Sequence, residues 1–180
     1  MGATRFLSGA GGPEGSVLAF GSGGGFSNHF ETPPFQKKQV AEYLANHPAP
    51  AFHFNSKGRC TPDVAALGIG FSVVVNGQVE SIGGTSAAAP TFSAVVALLN
   101  AHQLQNGRKP LGYLNQWLYG LDLSAGPGEA PLWDVTDGSN GHGCCSVSGI
   151  KGGFQCKPGY DAVTGLGTPN FDALLAALPK

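Results

Sequence analysis

Charged side chains are scarce in this sequence and balanced in sign. They make up 12% of the 180 residues, with 10 Lys and Arg against 11 Asp and Glu, for a net charge of −1. This balance gives no electrostatic basis for binding nucleic acid or an anionic membrane surface. Long hydrophobic runs are also missing, and no stretch approaches the roughly 20 apolar residues of a membrane-spanning helix. The 42% hydrophobic content instead predicts a globular chain that forms one domain or part of a larger one.

The sequence also lacks recognisable targeting and modification signals. Residues 1–5 contain no apolar stretch of the signal-peptide type. Phe6 stands where an N-myristoylation signal has Ser or Thr, which argues against that modification. No Asn-x-Ser/Thr sequon occurs, so the sequence offers no sign of glycosylation.

Cysteine is limited to four residues, and no C-x-x-C pair of the kind found in zinc knuckles is present. Cys144, Cys145 and Cys156 lie close together in a glycine-rich segment, whereas Cys60 stands alone. A short-loop disulfide from Cys145 or Cys144 to Cys156 is the favoured interpretation, and it predicts an oxidising compartment. Adjacent cysteines rarely bond to each other, so a second cysteine is expected to pair with a distant partner.

Glycine, by contrast, is abundant. The 29 glycines cluster at 9–15, 21–25, 138–143 and 149–167 without a collagen-like period, which predicts tight loops in an α/β protein. Residues 17–20 and 64–67 predict short strands, and residues 1–16 and 58–63 predict a loop and a turn. Helices are predicted at 36–46, which is amphipathic with Val40, Tyr43 and Leu44 on its apolar side, and at 113–119 and 172–178.

A β-hairpin leads into the segment on which the function depends. Asn76-Gly77 joins two β-rich runs, 71–75 and 78–82, and is typical of a type I′ turn. The chain then passes through two glycines to Ser86, where a helix over 86–104 is predicted, with Pro90 in its first turn. This helix is apolar nearly all round, so it is expected to be buried centrally. Ser86 then has two possible roles, as an N-cap or as a nucleophile beside the amides of a helix N-terminus.

A run of glycines at 21–30 is the second candidate functional segment. It lacks the Lys-Ser/Thr of a P-loop and the strand–helix context of a dinucleotide fingerprint. A plain flexible loop is one interpretation. The other, which we favour, is that bare backbone lets an extended peptide substrate approach closely.

Acidic residues suggest a third candidate site. Asp134, Asp137 and Asp161, with glycine carbonyls between them, have the oxygen ligands that Ca²⁺ prefers, although their spacing is not that of an EF-hand. Asp-Gly pairs are more often turns, so composition alone supports a metal weakly. Asp63 precedes a strand and could be an acid catalyst, but a turn-fixing role is favoured.

Several of these motifs together resemble one family of peptidases. The segment Gly84-Thr85-Ser86-Ala87-x-x-Pro90 resembles the nucleophile segment shared by subtilisins and sedolisins. The remaining motifs are similar to sedolisins, the serine-carboxyl peptidases: SGGGFS (22–27), PDVAAL (62–67), PLGYLN (110–115), WDVT (133–136) and YDAVTGLGTP (160–169). The likeness implies an α/β fold with a subtilisin-like parallel sheet and flanking helices. Residues 1–180 would then be the C-terminal half of a sedolisin catalytic domain.

The resemblance also implies roles for individual residues. Ser86 would be the acylated nucleophile, and the backbone of Gly23, Gly24, Gly25 and Phe26 would line the substrate cleft. One Ca²⁺ ion would be bound by the carboxylates of Asp134 and Asp161 and by the carbonyls of Val135, Lys157 and Gly159. Two positions depart from the family pattern: Lys157 replaces a frequent Gly, and Gly83 replaces a usual Ser. Both changes are expected to be tolerated.

In the family, a Glu held by an Asp takes the serine proton, and a separate Asp helps to form the oxyanion hole. These acids precede the region that the chain resembles, so the chain alone is expected to be inactive and to need the N-terminal half as a partner. Peptide substrates, tripeptide-releasing or endopeptidase action, and an acidic lysosomal or secreted location are implied. The alternatives are a Ca²⁺-stabilised inactive fragment or pseudoenzyme, and a subtilisin-type hydrolase.

Overall fold

The computed structural model describes residues 1–47, 52–125, 129–141 and 152–180. The protein is a mixed α/β structure in which the longest helix packs on a sheet that contains a parallel strand pair. In chain order, its elements are β1 (Gly2–Phe6), β2 (Glu14–Ser16), β3 (Gly25–Glu31), a 3₁₀ turn (Pro34–Gln36), α1 (Lys37–Asn46), β4 (Gly58–Thr61), β5 (Ala65–Leu67), β6 (Phe71–Val75), β7 (Gln78–Ile82), α2 (Thr85–Gln105), α3 (Leu114–Tyr119), β8 (Leu132–Trp133), β9 (Thr168–Pro169) and α4 (Phe171–Ala176).

The sheet that positions the site has the order β2-β1-β5. β1 is parallel to β5 and antiparallel to β2. The prediction of a loop over 1–16 is therefore wrong, because the glycines make only the turn between two strands, with positive φ at Gly9 and Gly11. The strand predicted at 17–20 is also wrong. Val17 is buried and bonds to β1 through its N–H, but the chain leaves the sheet directly afterwards.

The glycine run continues into a second, two-stranded sheet, in which β3 pairs with β4. The turn predicted at 58–63 is therefore largely strand. Gly58 explains the difference, because a Cβ at this position would collide with the carbonyl oxygen of Ser27 on the partner strand. This glycine serves close strand pairing rather than a turn.

The predicted hairpin is confirmed. β6 and β7 pair from Phe71↔Ile82 to Val75↔Gln78, and the turn residues Asn76 and Gly77 have φ of 51° and 78°. Positive φ at both central residues is the geometry of a type I′ turn. The hairpin is largely exposed, with Val74 and Val79 more than two-thirds accessible to solvent.

Helix α2 packs on β1 and β5, but it is not buried on all sides. Phe92 and Leu99 face the core, while Leu98 and Leu104 are each 58% exposed. The accessible positions form one helical stripe: Ser86, Pro90, Ser93, Ala94, Ala97, Leu98, Ala101 and Leu104. The expectation of a centrally buried helix is therefore wrong for this chain, because nothing in its described part covers the stripe.

The remaining helices agree with the sequence to within two residues at either end, and α4 carries a side-chain cap from Asn170. On α1, Val40 and Tyr43 are buried and Leu44 is half-buried, as predicted. The core joins the inner faces of α1, α2, α3 and α4 to the sheet and to the segment 154–166. Among the described residues, no helix has the length and apolar character needed to cross a membrane.

Candidate active site

Ser86 lies in the first turn of α2 and is exposed to solvent. The N-cap is Gly84, with φ of 150°, and no side chain caps the helix. Ser86 is therefore not an N-cap, and the capping interpretation is wrong. Within the described part of the chain, no residue forms a hydrogen bond with the Ser86 hydroxyl. Its side chain is thus free to meet a ligand at the positive end of the helix dipole.

Pro90 lies six residues into α2 rather than in its first turn. Because proline has no N–H, the Ser86 carbonyl has no partner at the position where an α-helix would supply one. The Thr91 hydroxyl donates to the Ala87 carbonyl at 2.9 Å. The helix is continuous through this point, but its first turns are held by fewer main-chain bonds than a regular helix has.

Strand β1 connects the serine turn to the glycine loop. Gly84 N–H donates to Gly68 O at 2.7 Å, and Gly68 N–H donates to Thr4 O at 2.9 Å. On the same strand, the N–H of Ala3 donates to the buried hydroxyl of Ser22 at 2.9 Å, directly before the glycines. The two candidate segments are therefore anchored to neighbouring residues of one strand.

The predicted substrate-binding residues differ in what lies behind them. Gly23 is exposed, and a Cβ there would meet no atom within 4 Å. A Cβ on Gly24 would collide with the Ala162 carbonyl oxygen, and a Cβ on Gly25 would lie 2.9 Å from the Phe154 ring. Gly25 also has φ of 132°, which an L side chain rarely adopts. One side of this backbone is therefore open, and the other is packed against the protein.

Phe26 anchors the end of the glycine loop. Its ring lies 4.8 Å from Phe54 and 5.6 Å from Phe154, measured between ring centroids. Phe52 joins the same cluster at 5.2 Å from Phe154. Such aromatic contacts add about 0.5–1.5 kcal/mol per pair beyond buried area, so they hold the loop in place.

The structure brings the predicted metal-binding residues together. Gly159 N–H donates to Asp134 Oδ2 at 2.7 Å, and Lys157 N–H donates to Asp161 Oδ2 at 2.9 Å. The loop 157–159 therefore connects both carboxylates, and Val135 is buried beside Asp134. Gly159 has φ of 81°, a conformation that suits glycine. Asp137 pairs loosely with Arg5 at 3.9 Å instead.

Asp161 is fully buried, and its carboxylate accepts the N–H groups of Val163 and Thr164 as well as that of Lys157. Within the described residues, it forms no ion pair. Burial raises the pKa of this carboxyl to about 6, and it also raises the pKa of Asp134. A buried carboxylate without a cation is the setting that a divalent ion would complete, and the oxygen donors fit Ca²⁺.

A cavity of about 650 Å³ opens beside this loop rather than at Ser86. Glu14, Trp133, Asp134 and Gly159 are among its lining residues. Glu14 accepts hydrogen bonds from the hydroxyls of Thr4 and Thr168. Neither Ser86 nor the glycine loop 23–26 lines this cavity.

A polar network lies beneath the PDVAAL segment and was not predicted from the sequence. Gln36 is fully buried and donates to Cys60 O and to the hydroxyls of Tyr119 and Tyr160. The Tyr119 hydroxyl donates to Asp63 Oδ1 at 2.8 Å. The Asp63 carboxylate therefore binds the Arg59 and Tyr119 side chains, which differs from the turn-fixing role that the sequence favoured. A lone glutamine before a helix carries no recognisable motif, so this network could not have been found by pattern.

Cys60 and Cys156 are buried, and neither forms a disulfide within the described residues. Burial raises the pKa of each thiol to about 12. The predicted partners of Cys156, Cys144 and Cys145, lie outside the described residues. The disulfide stays a prediction.

Comparison with known proteins shows sequence similarity to peptidases. Residues 35–110 match the family model described as the subtilase family. The chain is 46% identical over 166 residues to tripeptidyl-peptidase 1 of Mus musculus, covering 90% of this chain, and 44% identical over 166 residues to that of Homo sapiens. In sequence, the chain therefore resembles peptidases of the subtilase and tripeptidyl-peptidase 1 kind.

A solved sedolisin shares the fold. The Pseudomonas sedolisin, a serine-carboxyl proteinase, superposes with a TM-score of 0.72 at 24% identity, over 98% of this chain and 44% of that one. The predicted α/β fold is therefore confirmed. The chain spans only 28% of the length of both tripeptidyl-peptidase 1 relatives.

Proposed function

We propose that this chain is the nucleophile-bearing part of an acid-acting sedolisin that hydrolyses peptides through acylation of Ser86. The observation that carries the proposal is the exposed Ser86 hydroxyl in the first turn of α2, tied through Gly84, Gly68 and β1 to the open backbone at Gly23. An extended peptide bound along that backbone would bring its scissile bond within reach of Ser86, because the same strand positions both segments.

The reaction consists of two acyl transfers. The Ser86 oxygen attacks the scissile carbonyl carbon, its proton passes to a carboxylate base, and the amine product leaves with a proton. Water then attacks the acyl ester and restores the serine. A carboxylate has a pKa of about 4, so it stays ionised and can accept a proton even at mildly acidic pH. This property suits an acidic, lysosomal or secreted location.

The base is proposed to come from a polypeptide segment N-terminal to this region in the whole enzyme. No carboxylate in the described residues bonds to Ser86, and the relatives extend well beyond the 28% of their length that this chain matches. The exposed stripe of α2, with Leu98 and Leu104, and the exposed β6–β7 hairpin give such a segment apolar surface on which to pack.

We further propose that one Ca²⁺ ion stabilises the loop 157–161. The carboxylates of Asp134 and Asp161 and the carbonyls of Val135, Lys157 and Gly159 would hold it. The ion would supply positive charge to two carboxylates whose pKa values are raised by burial. The feature that supports this site is Asp161, which is fully buried and forms no ion pair with another described residue.

The test is to express this region with its upstream segment and to measure peptide hydrolysis at acidic pH. Ser86→Ala should abolish hydrolysis, with a loss of at least about 10³-fold, because nucleophile and base act as a unit. Ser93→Ala is the matched control, because Ser93 is also exposed on α2 but lies two turns further along. Full activity in Ser86→Ala would disprove the nucleophile assignment.

The alternative is a Ca²⁺-stabilised pseudoenzyme, and it predicts a different result with the same material. An acylating active-site reagent should label Ser86 in the peptidase but leave it unlabelled in a pseudoenzyme that still folds. A pH optimum at or above neutral would instead favour a subtilisin-type mechanism. Comparing tripeptide release with internal cleavage of an N-terminally blocked peptide would then separate exopeptidase from endopeptidase action.

A further inference from the structure

Asn140 occupies a junction between the two loops described above. It is only 6% exposed, and its side chain bonds in two directions. Nδ2 donates to the carbonyl of Ala162 at 3.2 Å, and Oδ1 accepts the N–H of Phe154 at 2.8 Å. Its own N–H donates to Phe154 O at 3.1 Å. The amide group therefore joins two segments that are distant in sequence.

Both partners of Asn140 press on the glycine loop from behind. The Ala162 carbonyl occupies the space that a Cβ on Gly24 would need, and Asn140 Nδ2 itself would lie 3.0 Å from that Cβ. The Phe154 ring covers Gly25, where a Cβ would lie 2.9 Å from it. These two glycines thus rest on a surface that Asn140 holds together.

The same surface continues into the proposed calcium loop. Ala162 directly follows Asp161, whose side chain accepts the N–H groups of Lys157 and Val163. On the other side, Cys156 N–H donates to Gly138 O at 2.9 Å, which pairs the segment before the loop with the segment that carries Asn140. A shift of the Asp161 carboxylate would therefore move Ala162 directly.

We propose that Asn140 is a positioning residue that couples Ca²⁺ occupancy of the loop 157–161 to the placement of the substrate-binding glycines Gly24 and Gly25. This inference rests on the calcium site and cleft proposed above. Two branches carry the coupling, one through the Ala162 carbonyl to Gly24 and one through the Phe154 ring to Gly25. Because protein interiors are closely packed, a displacement at one end is transmitted rather than absorbed.

The experiment measures backbone amide NMR shifts of the full 180-residue chain during Ca²⁺ titration. In the wild type, Ca²⁺ should shift the amides of Lys157 and Val163, and also those of Gly24 and Gly25. In Asn140→Ala, the shifts at the loop should remain, and those at the two glycines should be lost. A role of Asn140 in stability alone would leave the Ca²⁺ response of the glycines in place.

A second variant separates the branches and covers the case in which the alanine variant fails to fold. Asn140→Asp keeps the oxygen that accepts Phe154 N–H but has no donor for Ala162 O. It should lose the Ca²⁺ response at Gly24 and retain that at Gly25. Asn106→Ala, at the exposed end of α2, is the control and should retain both.

The outcomes distinguish the coupling from the metal site beneath it. Shifts at Lys157 and Val163 without any at Gly24 and Gly25 in the wild type would overturn the coupling and leave the calcium site standing. Persistence of the glycine shifts in both Asn140 variants would overturn it as well. Absence of every Ca²⁺-induced shift would remove the calcium site together with the coupling.

Discussion

Arg59 holds the carboxylate of Asp63 four residues away, with Nη2 at 2.6 Å from each carboxylate oxygen. Nη1 of the same guanidinium donates to Cys60 O at 2.7 Å. Both side chains are about three-quarters or more buried, at 20% and 26% exposure. One planar group thus serves two acceptors, which a lysine ammonium on a flexible stem cannot match in this geometry.

Arg59→Lys should therefore lower the free energy of unfolding by about 1–3 kcal/mol, because one ammonium group cannot keep both the bonds to the Asp63 carboxylate and the bond to Cys60 O. Urea denaturation followed by far-UV circular dichroism would measure it. Arg108→Lys, at an exposed position three residues after the end of α2, is the control and should change stability by less than about 0.5 kcal/mol. Equal losses in the two variants would contradict the role assigned to Arg59.

Ca²⁺ should raise the melting temperature of the chain. At about 100 times its dissociation constant, the ion would add about 2.7 kcal/mol to the free energy of unfolding. Asp134→Asn should remove most of this gain, since it deletes one of the two carboxylates. Asp172→Asn, in the exposed first turn of α4, should leave the gain intact. The measurement compares the melting temperature in Ca²⁺ with that in a chelator. Equal melting temperatures would disprove the metal site.

The glycine loop should separate stability from substrate binding. Gly23→Ala should leave the free energy of unfolding within about 0.5 kcal/mol, because the new methyl group meets no atom, yet it should weaken peptide hydrolysis in the whole enzyme. Gly24→Ala should lower the free energy of unfolding by about 1–3 kcal/mol, because the methyl group would collide with Ala162 O. Denaturation curves and Michaelis constants for a peptide substrate test the pair.

Glu14 should make the chain less stable as the pH rises. Burial raises its pKa above the ordinary value of 4.5, in spite of the hydroxyl bonds from Thr4 and Thr168. The protonated Glu14 side chain makes its whole contribution to the free energy of unfolding below pH 4.5. This contribution is lost as the pH rises through the higher pKa of the folded state. Glu14→Gln should thus gain stability relative to the wild type between pH 4.5 and neutrality.

Unfolding midpoints at acidic and neutral pH would measure that difference. Glu31→Gln, which removes a carboxylate at the exposed end of β3, is the matched control. A Glu14→Gln advantage that is the same at both pH values would refute the burial argument.

The sequence predicted elements whose signals are local. Asn76-Gly77 defined the hairpin because its turn type demands positive φ at both positions. The helices α1, α3 and α4 followed from periodicity and flanking residues. The strands β1, β2, β3 and β4 were missed, because each contains a glycine that suggested a loop or turn, and because their pairing partners lie far away in sequence or across a turn.

The candidate site was only partly accessible to the same reasoning. Motifs predicted roles for Ser86, the glycine loop and the two aspartates, but they did not predict how these residues are arranged. The anchoring of both candidate segments to β1 depends on backbone bonds made by Ala3 and Gly68. The role of Asn140 likewise depends on contacts across more than a dozen residues. No pattern in a single sequence encodes such long-range contacts.

The main-chain attachment of the serine turn has a consequence for reading activity profiles. Gly84, Gly68 and Thr4 hold the turn through neutral amide and carbonyl groups, which neither protons nor ordinary salt concentrations alter. The position of Ser86 should therefore stay constant across an acid titration. A pH–rate curve of the whole enzyme would then report the ionisation of its carboxylates and not a moving nucleophile.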